Sequence, residues 1–583
     1  MTIETRKEKD MDIHIEKGQK ITGSEAVIFS LLEEGVDTVF GYPGGAIMPV
    51  YDVLYGYQDK LKHILTRHEQ GAIHAAQGYA RVSGKVGVCI ATSGPGATNL
   101  MTGLADAMID STPLVAITGQ VGSSLLGTDA FQECDVVGMS MPVTKWNIQI
   151  KDAEEIPEAI AKAFYIARTG RPGPVLIDIT KDAQFGELGF TYEKCHKIRS
   201  YLPSSQIDPK KVSEAAELIN NAKKPFVVFG QGVILSGAEK ELKQFLEKAG
   251  IPAGATLLGL SALPSDHPLH MGMLGMHGNY APNVKTNDCD VLIAIGMRFD
   301  DRVTGNTKTY ASQAKIIHLE VDPSEINKNI HADIPVLGDA KKSLKMLIEQ
   351  VNANSHDEWV NEFHDCYKKE FNRVIEKDIH PTKEGLTMGE AVRLTSEATD
   401  HKAILVTDVG QQQMIASRYF QFTQSRSCVT SGGLGTMGFG LPAAIGAKLG
   451  APDRTVVLFA GDGGFQMTIQ ELGTIAQNNI PVKMIVLNNH FLGMVRQWQE
   501  LFFESRYSFT EIQSPDFITV ANAYGIKGKS ITKREDLSSA INEMLGTDGP
   551  FLLEVKVEKE DNVFPMVPSG GTVSEILLGP EDL

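Results

Sequence analysis

The sequence has few cysteines, no long apolar run and fewer basic than acidic residues. Its six cysteines among 583 residues form no C-x-x-C pair, which argues against a disulfide framework or a zinc site and favours a cytoplasmic protein. No apolar run reaches about 18 residues, so no membrane-spanning helix is expected. Lys and Arg number 55 against 72 Asp and Glu, a formal net charge of -17. This balance argues against nucleic acid or an anionic membrane surface as a partner.

The N-terminal residues lack the features of a targeting segment. Residues 1–20 carry charges of both signs and no apolar core, so we expect neither a secretory signal nor a transit peptide there, but a flexible lead. The chain is long enough for several domains, each with its own core. From Ile21 onward, short apolar runs alternate with helical patterns. That alternation predicts an α/β fold of parallel sheets covered on both faces.

The most specific pattern lies between Val456 and Trp498. An apolar run ends in the turn Gly-Asp-Gly-Gly, a helical segment follows, and a second apolar run ends in two asparagines. Because strand, helix and strand in this order almost always form a right-handed parallel crossover, Asp462 and Asn489 are expected at the same edge of one sheet. Their oxygens suit Mg2+, and the glycines suit a diphosphate. Taken singly, an Asp-Gly pair is more typical of a turn that binds nothing, and an Asn-Asn pair is more typical of a strand end.

Asp462 and Asn489 are 27 residues apart across one strand–helix–strand unit. This segment resembles the GDG and NN signature of the thiamine diphosphate-dependent enzymes. The resemblance implies that Asp462, Asn489 and the main-chain oxygen of Phe491 ligate Mg2+. It also implies that Gly463 and Gly464 lie against the cofactor.

Three motifs in the first third resemble the pyrimidine-binding domain of the same enzymes: RHEQGA at 67–72, SGPGATN at 93–99 and GTDAFQE at 127–133. The resemblance implies that Glu69 bonds N1′ of the aminopyrimidine, which promotes loss of the proton from C2 of the thiazolium. It further implies a substrate contact for Phe131 and catalytic roles for Gln132 and Lys181.

The same residues also have structural interpretations. A glutamate in the first turn of a helix is favoured by the helix dipole alone, and a Phe-Gln pair is equally typical of a core. The glycines of residues 93–99 suit either a phosphate loop or tight packing, and we favour packing beside Glu69, because Asp462 marks a better diphosphate site.

The middle third resembles the FAD-binding domain of acetohydroxyacid synthase, also called acetolactate synthase, through GMLGMHG at 272–278, MRFDDRVTG at 297–305 and KIIHLEVDP at 315–323. Glu320 and Asp322 end a predicted strand, where an acidic side chain takes a ribose hydroxyl. Arg302 is expected to meet a substrate carboxylate. The residues implied to hold FAD are Arg171, Gly230, Gly232, His277, Arg298, Asp300, Glu320 and Asp339. Alternatively, the lone G-x-G at 230–232 is a turn without a ligand. RFDDR could likewise be a surface loop whose acidic and basic side chains pair with one another.

In the last third, GLGTMG at 433–438 resembles the segment that supports the bent cofactor. It implies that Gly435 and Met437 contact thiamine diphosphate, and that Gln411 and Gln412 contact its diphosphate. After Asn489, a helical pattern places Met494, Val495 and Trp498 on one face. Such a stripe is usually core, whereas the resemblance implies that it shapes the pocket for the acceptor substrate.

We therefore predict three doubly wound parallel-sheet domains: 21–190 (pyrimidine-binding), 205–355 (middle, FAD-binding) and 380–560 (diphosphate- and Mg2+-binding), followed by a tail, 561–583, that is a possible lid. The resemblance implies that the chain decarboxylates pyruvate and transfers the two-carbon unit to a second pyruvate, giving 2-acetolactate, or to 2-ketobutyrate, giving 2-aceto-2-hydroxybutyrate. This would be the first common step of branched-chain amino acid biosynthesis.

The resemblance also implies an assembly and leaves two other functions to consider. It implies a homodimer or homotetramer with active sites at the subunit interface, and a possible small regulatory subunit. The first alternative is an oxidoreductase of the pyruvate oxidase type, in which the flavin accepts electrons. The second is a catalytically inactive scaffold that binds a flavin or nucleotide, which the presence of Glu69, Asp462 and Asn489 opposes.

Overall fold

The computed structural model describes residues 16–203 and 206–583, and contains three parallel sheets of six strands each within them. Helices cover both faces of each sheet, so the predicted α/β fold is confirmed. Inner strands of the sheets are buried along their whole length, among them Gly87–Ala91, Leu114–Gln120, Pro225–Phe229, Val291–Ile295, Ile404–Thr407 and Lys483–Asn488. This burial explains why they read as continuous apolar runs rather than alternating ones. Residues 1–15 of the predicted flexible lead lie outside the described residues.

The first sheet has the strand order β3-β2-β4-β5-β7-β6, and a small antiparallel pair, β1 with β8, lies beside it. The six strands of this sheet are β2 (Thr38–Gly41), β3 (Lys62–Leu65), β4 (Gly87–Ala91), β5 (Leu114–Gln120), β6 (Trp146–Ile150) and β7 (Pro174–Thr180), and the pair consists of β1 (Gln19–Thr22) and β8 (Glu187–Phe190). Its helices are α1 (Gly23–Glu33), α2 (Met48–Leu54), α3 (Glu69–Ser83), α4 (Pro95–Thr98), α5 (Met101–Ile109), α6 (Val136–Ser140), α7 (Ile156–Arg168) and α8 (Lys181–Phe185).

The middle sheet has the order β11-β10-β9-β12-β13-β14. Its strands are β9 (Pro225–Phe229), β10 (Ala253–Ala255), β11 (His270–Met273), β12 (Val291–Ile295), β13 (Lys315–Glu320) and β14 (Ile334–Leu337). Its helices are α9 (Pro209–Asn221), α10 (Gln231–Leu235), α11 (Glu239–Ala249), α12 (Tyr280–Thr286), α13 (Asp301–Thr304) and α14 (Ala340–Gln350). Two helices, α15 (Asp357–Glu370) and α16 (Glu376–Ile379), lead from this sheet to the next.

The last sheet has the order β16-β15-β17-β18-β20-β19. Its strands are β15 (Ile404–Thr407), β16 (Cys428–Val429), β17 (Val456–Gly461), β18 (Lys483–Asn488), β19 (Lys527–Ile531) and β20 (Phe551–Lys556). Its helices are α17 (Met388–Ala398), α18 (Gln411–Tyr419), α19 (Gly440–Gly450), α20 (Asp462–Met467), α21 (Leu472–Asn478), α22 (Gly493–Phe502), α23 (Phe517–Ala523) and α24 (Arg534–Gly546).

Helices α3 and α19 join the first and last sheets through close backbone contact. A Cβ atom added at Gly78 would lie 2.0 Å from the carbonyl oxygen of Ala443, and one added at Gly446 would lie 1.7 Å from that of Ala75. Glycine is therefore required at both helix positions, because any side chain would push the helices apart. One apolar core, shared by both sheets, surrounds this contact.

The C-terminal segment, residues 561–583, packs on the middle domain. The amide of Val567 donates to the carbonyl of Met276 at 2.8 Å. Phe564, Met566 and Leu577 are buried in a small apolar cluster with Val374. The proposed lid movement of this segment stays a prediction. Within the described residues, no helix combines the length and the apolar character needed to cross a membrane.

The α3–α19 contact generates a stability prediction. We expect Gly446→Ala to lower the free energy of unfolding by about 3 kcal/mol, because the new methyl group overlaps rigid backbone. Chemical denaturation followed by circular dichroism measures this. The matched control is Gly546→Ala, since a Cβ at that helical glycine meets no heavy atom within 4 Å and should change stability by less than about 1 kcal/mol. Equal effects of the two substitutions would contradict the packing argument.

Candidate active site

Three neighbouring parallel strands, β15, β17 and β18, end at one edge of the last sheet. Helix α18 begins at Gln411 directly after Gly410, and α20 begins at Asp462 directly after Gly461. Asn489 follows β18, so the prediction that Asp462 and Asn489 share a sheet edge is confirmed.

The predicted turn at residues 461–464 is wrong, since these residues form a strand end and the first turn of α20. An aspartate in a first helical turn is favourable, and the backbone amides there face the sheet edge.

Asp462 is fully buried, and only one of its two carboxylate oxygens has a hydrogen-bond partner. Its Oδ2 accepts a hydrogen bond from Ser514 Oγ at 2.8 Å, whereas its Oδ1 has no hydrogen-bond partner. Burial raises the pKa of this carboxyl group above its usual value. A buried carboxylate oxygen without a donor is unfavourable unless a cation or another donor meets it. This geometry fits a divalent cation.

The side chains of Gln411 and Gln412 are buried at this edge, Gln411 against Asn489 and Gln412 against Gly461. Asn489 Nδ2 donates to Gln411 Oε1 at 3.3 Å, which links the ends of β15 and β18. Gln412 Nε2 is buried without an acceptor. A Cβ added at Gly461 would lie 3.0 Å from Gln412 Oε1, so this glycine leaves room for the amide. The unpaired amide and the two helix N-termini suit an anionic group such as a diphosphate.

A cavity of about 1210 Å³ lies between the three domains and extends to this edge. Its volume suits a ligand of dinucleotide size together with a small substrate. Many of the predicted site residues line it: Arg171, Gly232, His277, Arg298, Asp300, Arg302, Glu320, Asp339, Gly435, Met437, Met494, Val495 and Trp498. His277 Nδ1 is buried there without a partner, which leaves a polar atom for a ligand.

The chain is similar to known proteins over nearly its whole length. Three family models match it: the N-terminal TPP binding domain of thiamine pyrophosphate enzymes at residues 21–139, the central domain at 212–347 and the C-terminal TPP binding domain at 408–555. It is 45% identical over 566 residues to the acetolactate synthase isozyme 2 large subunit of Escherichia coli K12, covering 96% of this chain and 99% of that one. It belongs to the acetolactate synthase family of thiamine pyrophosphate enzymes.

Two further relatives support the same assignment. The acetolactate synthase large subunit of Corynebacterium glutamicum is 47% identical over 569 residues, which is 96% of this chain and 90% of that protein. The probable acetolactate synthase large subunit of Methanocaldococcus jannaschii is 46% identical over 564 residues, or 95% of each chain. The resemblance drawn from the motifs is thereby confirmed, and the pyruvate oxidase alternative is not favoured.

Four of the site residues predicted in the first domain do not line the cavity: Glu69, Phe131, Gln132 and Lys181. Glu69 begins α3, is largely buried, and accepts a hydrogen bond from Asn99 Nδ2 at 3.0 Å. Phe131 is 88% exposed, and Lys181 is exposed at the start of α8. Within one chain, Phe131 and Lys181 are thus open to solvent.

The loop at residues 93–99 lies against both Glu69 and Gln132. A Cβ added at Gly96 would lie 3.3 Å from Glu69 Oε1, and one added at Gly94 would lie 2.8 Å from the carbonyl oxygen of Gln132. Gln132 itself has a φ of 60°, a left-handed conformation that is uncommon for a residue with a side chain. These contacts agree with the packing interpretation of the glycines. Asn99 was missed as a partner of Glu69, although it closes the quoted motif.

Asp408 is another residue that the sequence reasoning missed. It follows β15, is buried, and accepts hydrogen bonds from the amides of Val409 (2.8 Å), Gly438 (3.1 Å) and Gly440 (2.8 Å). Burial raises the pKa of this carboxyl group, and three backbone donors compensate part of the cost of its charge. Asp408 therefore fixes the segment that follows Met437. The only available signal was its position directly after an apolar strand.

Helix α22 buries a different face from the one that an apolar core stripe would bury. Its buried residues are Arg496 and Gln497, whereas the predicted stripe of Met494, Val495 and Trp498 lines the cavity. Arg496 can be buried because it pairs with Glu500 and donates to Asn562 Oδ1 at 3.1 Å. The core interpretation fits Met494, which packs against the apolar core, but not Val495, which is 49% exposed.

The predicted FAD contacts differ in their surroundings. Arg171 already pairs with Glu325 (2.8 Å) and Asp322 (3.3 Å), so its guanidinium ties the first domain to the middle one. Gly230 does not line the cavity, and a Cβ there would meet the carbonyl oxygen of Gly296 at 2.4 Å. This close approach supports the structural interpretation of Gly230.

Glu320 gives a prediction about pH. Burial raises the pKa of Glu320 from 4.5 to about 7. The protonated side chain therefore contributes to the free energy of unfolding fully below pH 4.5, and this contribution, about 3 kcal/mol in all, is lost as the pH rises through 7. Gln in this position keeps an oxygen for the amides of Val321 and Asp322, which Glu320 Oε1 now accepts from. We expect Glu320→Gln to be more stable than the wild type at pH 8, and this gain to shrink at pH 5. Denaturant unfolding of flavin-free protein at both pH values measures it, and an equal gain at both would contradict the assignment.

Proposed function

We propose that the chain converts two molecules of pyruvate to 2-acetolactate and CO2, and that 2-ketobutyrate replaces the second pyruvate to give 2-aceto-2-hydroxybutyrate. The observation that carries this proposal is the single cavity in which Met437 and Trp498 face the predicted flavin contacts, next to the edge formed by Asp462. The relatives named above are acetolactate synthases. By that likeness, the reaction begins branched-chain amino acid biosynthesis.

The residues at the sheet edge fit thiamine diphosphate and Mg2+. We assign Mg2+ to Asp462, Asn489 and the carbonyl of Phe491, because an aspartate oxygen without a partner and neutral oxygen ligands suit this cation. Gln411, Gln412, Gly463 and Gly464 would hold the diphosphate. When bound, thiamine diphosphate supplies the electron sink that lets the carboxyl group of a 2-keto acid leave as CO2.

Glu69 has the task of sharing a proton with the aminopyrimidine. Its Oε2 is held by Asn99, which leaves Oε1 for the ring nitrogen. A hydrogen bond that fixes one oxygen also fixes the direction of the other, and this orients the proton transfer. Gln132 and Lys181, from the same domain, would contact the reacting 2-keto acid beside Phe131.

The large cavity fits FAD together with the acceptor substrate. We assign FAD to Gly232, His277, Arg298, Asp300, Glu320 and Asp339, with Arg171 and Gly230 supporting its site. The side chain of Arg302 is 64% exposed; its NH1 donates to the sulfur of Met276 at 3.2 Å, and its Nε lies 3.8 Å from Asp301 Oδ2. This guanidinium is available to bind a substrate carboxylate. Met494, Val495 and Trp498 would form the apolar wall for the alkyl group of the acceptor.

The exposed apolar side chains favour an assembly of several chains. Around the first domain they include Leu125, Phe131, Met141 and Phe185, and near the sheet edge they include Leu434 and Met467. Large exposed apolar groups close to a site are typical of an interface. We propose a homodimer or homotetramer in which Glu69 of one chain faces Asp462 of another. The relatives are named large subunits, so we also propose a small regulatory subunit.

The test of the reaction is product analysis with purified protein, thiamine diphosphate, Mg2+, FAD and pyruvate, with oxygen and flavin absorbance followed throughout. We expect acetolactate without oxygen uptake, and acetohydroxybutyrate when 2-ketobutyrate is added. Oxygen consumption with acetate or acetyl phosphate as product would instead indicate the oxidase. Failure to bind thiamine diphosphate at all would indicate an inactive scaffold.

The metal assignment makes a separate prediction. Asp462→Asn should weaken Mg2+-dependent binding of thiamine diphosphate at least about 100-fold, because the substitution removes the charge that holds the cation. Ser514→Ala is the matched control: it removes only the hydrogen bond to Oδ2 and should cost less than about tenfold. Equilibrium dialysis with and without EDTA measures both. Binding by Asp462→Asn that equals the wild type and still responds to Mg2+ would place the metal elsewhere.

A further inference from the structure

A buried polar network joins the first domain to the loop that carries Met437. Its members in the first domain are Asp106 on α5, Asp110 directly after α5, and Arg81 near the end of α3. The side chains of both aspartates have no solvent exposure and that of Arg81 has 6%. Arg81 NH2 lies 2.9 Å from Asp110 Oδ2 and 3.9 Å from Asp106 Oδ2. One buried guanidinium thus faces two buried carboxyl groups, and it cannot compensate both.

The loop at residues 431–437 supplies donors to both oxygens of Asp110 and to Oδ1 of Asp106, whereas Asp106 Oδ2 keeps no hydrogen-bond partner and faces only Arg81. The amides of Gly432 and Gly433 donate to Asp110 at 2.8 and 2.7 Å. Thr436 Oγ1 donates to Asp106 Oδ1 at 3.0 Å, and Ser431 Oγ donates to the same oxygen. Because a buried carboxylate without donors is strongly unfavourable, loop conformations that withdraw these donors are disfavoured. The network therefore holds the residues immediately before Met437.

Arg81 also contacts the chain on both sides of this loop. Its NH1 donates to the carbonyl of Thr430, and its guanidinium lies 5.4 Å from the ring centre of Phe439. The loop has no room to shift toward α5, since a Cβ at Gly433 would lie 2.8 Å from Ile109. The conformation that places Met437 against the cavity is thus set from the first domain.

We propose that Asp106 and Asp110, held by Arg81, are positioning residues that set the place of Met437 beneath thiamine diphosphate. This inference rests on the proposed function, in which Met437 supports the bent cofactor. The diphosphate contacts arise from other elements, α18 and α20, so the network governs cofactor geometry more than cofactor affinity. A displacement of about 1 Å at such a support lowers a rate by up to about 100-fold.

The test compares Thr436→Val and Asp106→Asn with the control Tyr79→Phe. Thr436→Val keeps the side-chain shape and removes one donor to Asp106. Tyr79→Phe also removes a partly buried hydrogen bond made by α3, in which Tyr79 Oη donates to Asp37 at 2.7 Å. Neither of these side chains contacts the loop. In protein without cofactor, we expect amide hydrogen exchange of residues 431–437 to be faster by about tenfold or more in the first two variants and unchanged in Tyr79→Phe.

With cofactor, we expect Thr436→Val and Asp106→Asn to lower kcat about tenfold or more while the Kd for thiamine diphosphate changes less than about threefold. The near-ultraviolet circular dichroism of the bound cofactor should change in the same two variants, since its ring geometry depends on Met437. The proposal is overturned if kcat and the dichroism match the control, or if all three variants lose activity in proportion to a lower Tm. Should the wild type make no acetolactate, the proposed function fails, and exchange and dichroism still decide the role of the network.

Discussion

The close contact between α3 and α19 is the constraint on which the site depends. α3 begins with Glu69 and α19 begins two residues after Gly438, so the two helices carry the ends of both candidate cofactor segments. Glycines at the crossing allow the backbones to touch, and a shared apolar core surrounds them. Since backbone contacts are stiff, the distance between the first and last sheets is fixed. Within one chain, that distance sets where Glu69 lies relative to the glycine-rich segment before α19.

Around this contact, buried carboxyl groups organise the glycine-rich segments. Asp408 holds the amides after Met437, and Asp106 and Asp110 hold the residues before it. A glycine-rich segment has no side chains of its own to pack, and its backbone is flexible in isolation. Hydrogen bonds from the backbone amides of the segment to buried carboxylates take the place of that missing side-chain packing. The flexible sequence is consequently rigid in the fold.

The sequence was sufficient for the fold class and for the sheet edge. Apolar runs and the GDG–NN spacing predicted parallel strands, and Asp462 and Asn489 indeed end neighbouring strands. Local patterns could not reveal Asp408 or Asn99, because their partners are set by tertiary contact. Local patterns also could not predict the buried face of α22, because Arg496 is buried through its ion pair with Glu500 and its hydrogen bond to Asn562. A periodicity argument treats such an arginine as solvent-exposed.

The packing of the C-terminal segment on the middle domain bears on how the protein is made. Val567 supports Met276, a residue of the cavity wall that precedes it by 291 positions. During synthesis the first two sheets emerge and fold before that support exists. The cavity wall is therefore completed only after Val567 has left the ribosome. A nascent or truncated chain would have formed sheets but an unfinished cavity, so that cofactor loading becomes a late step of biogenesis.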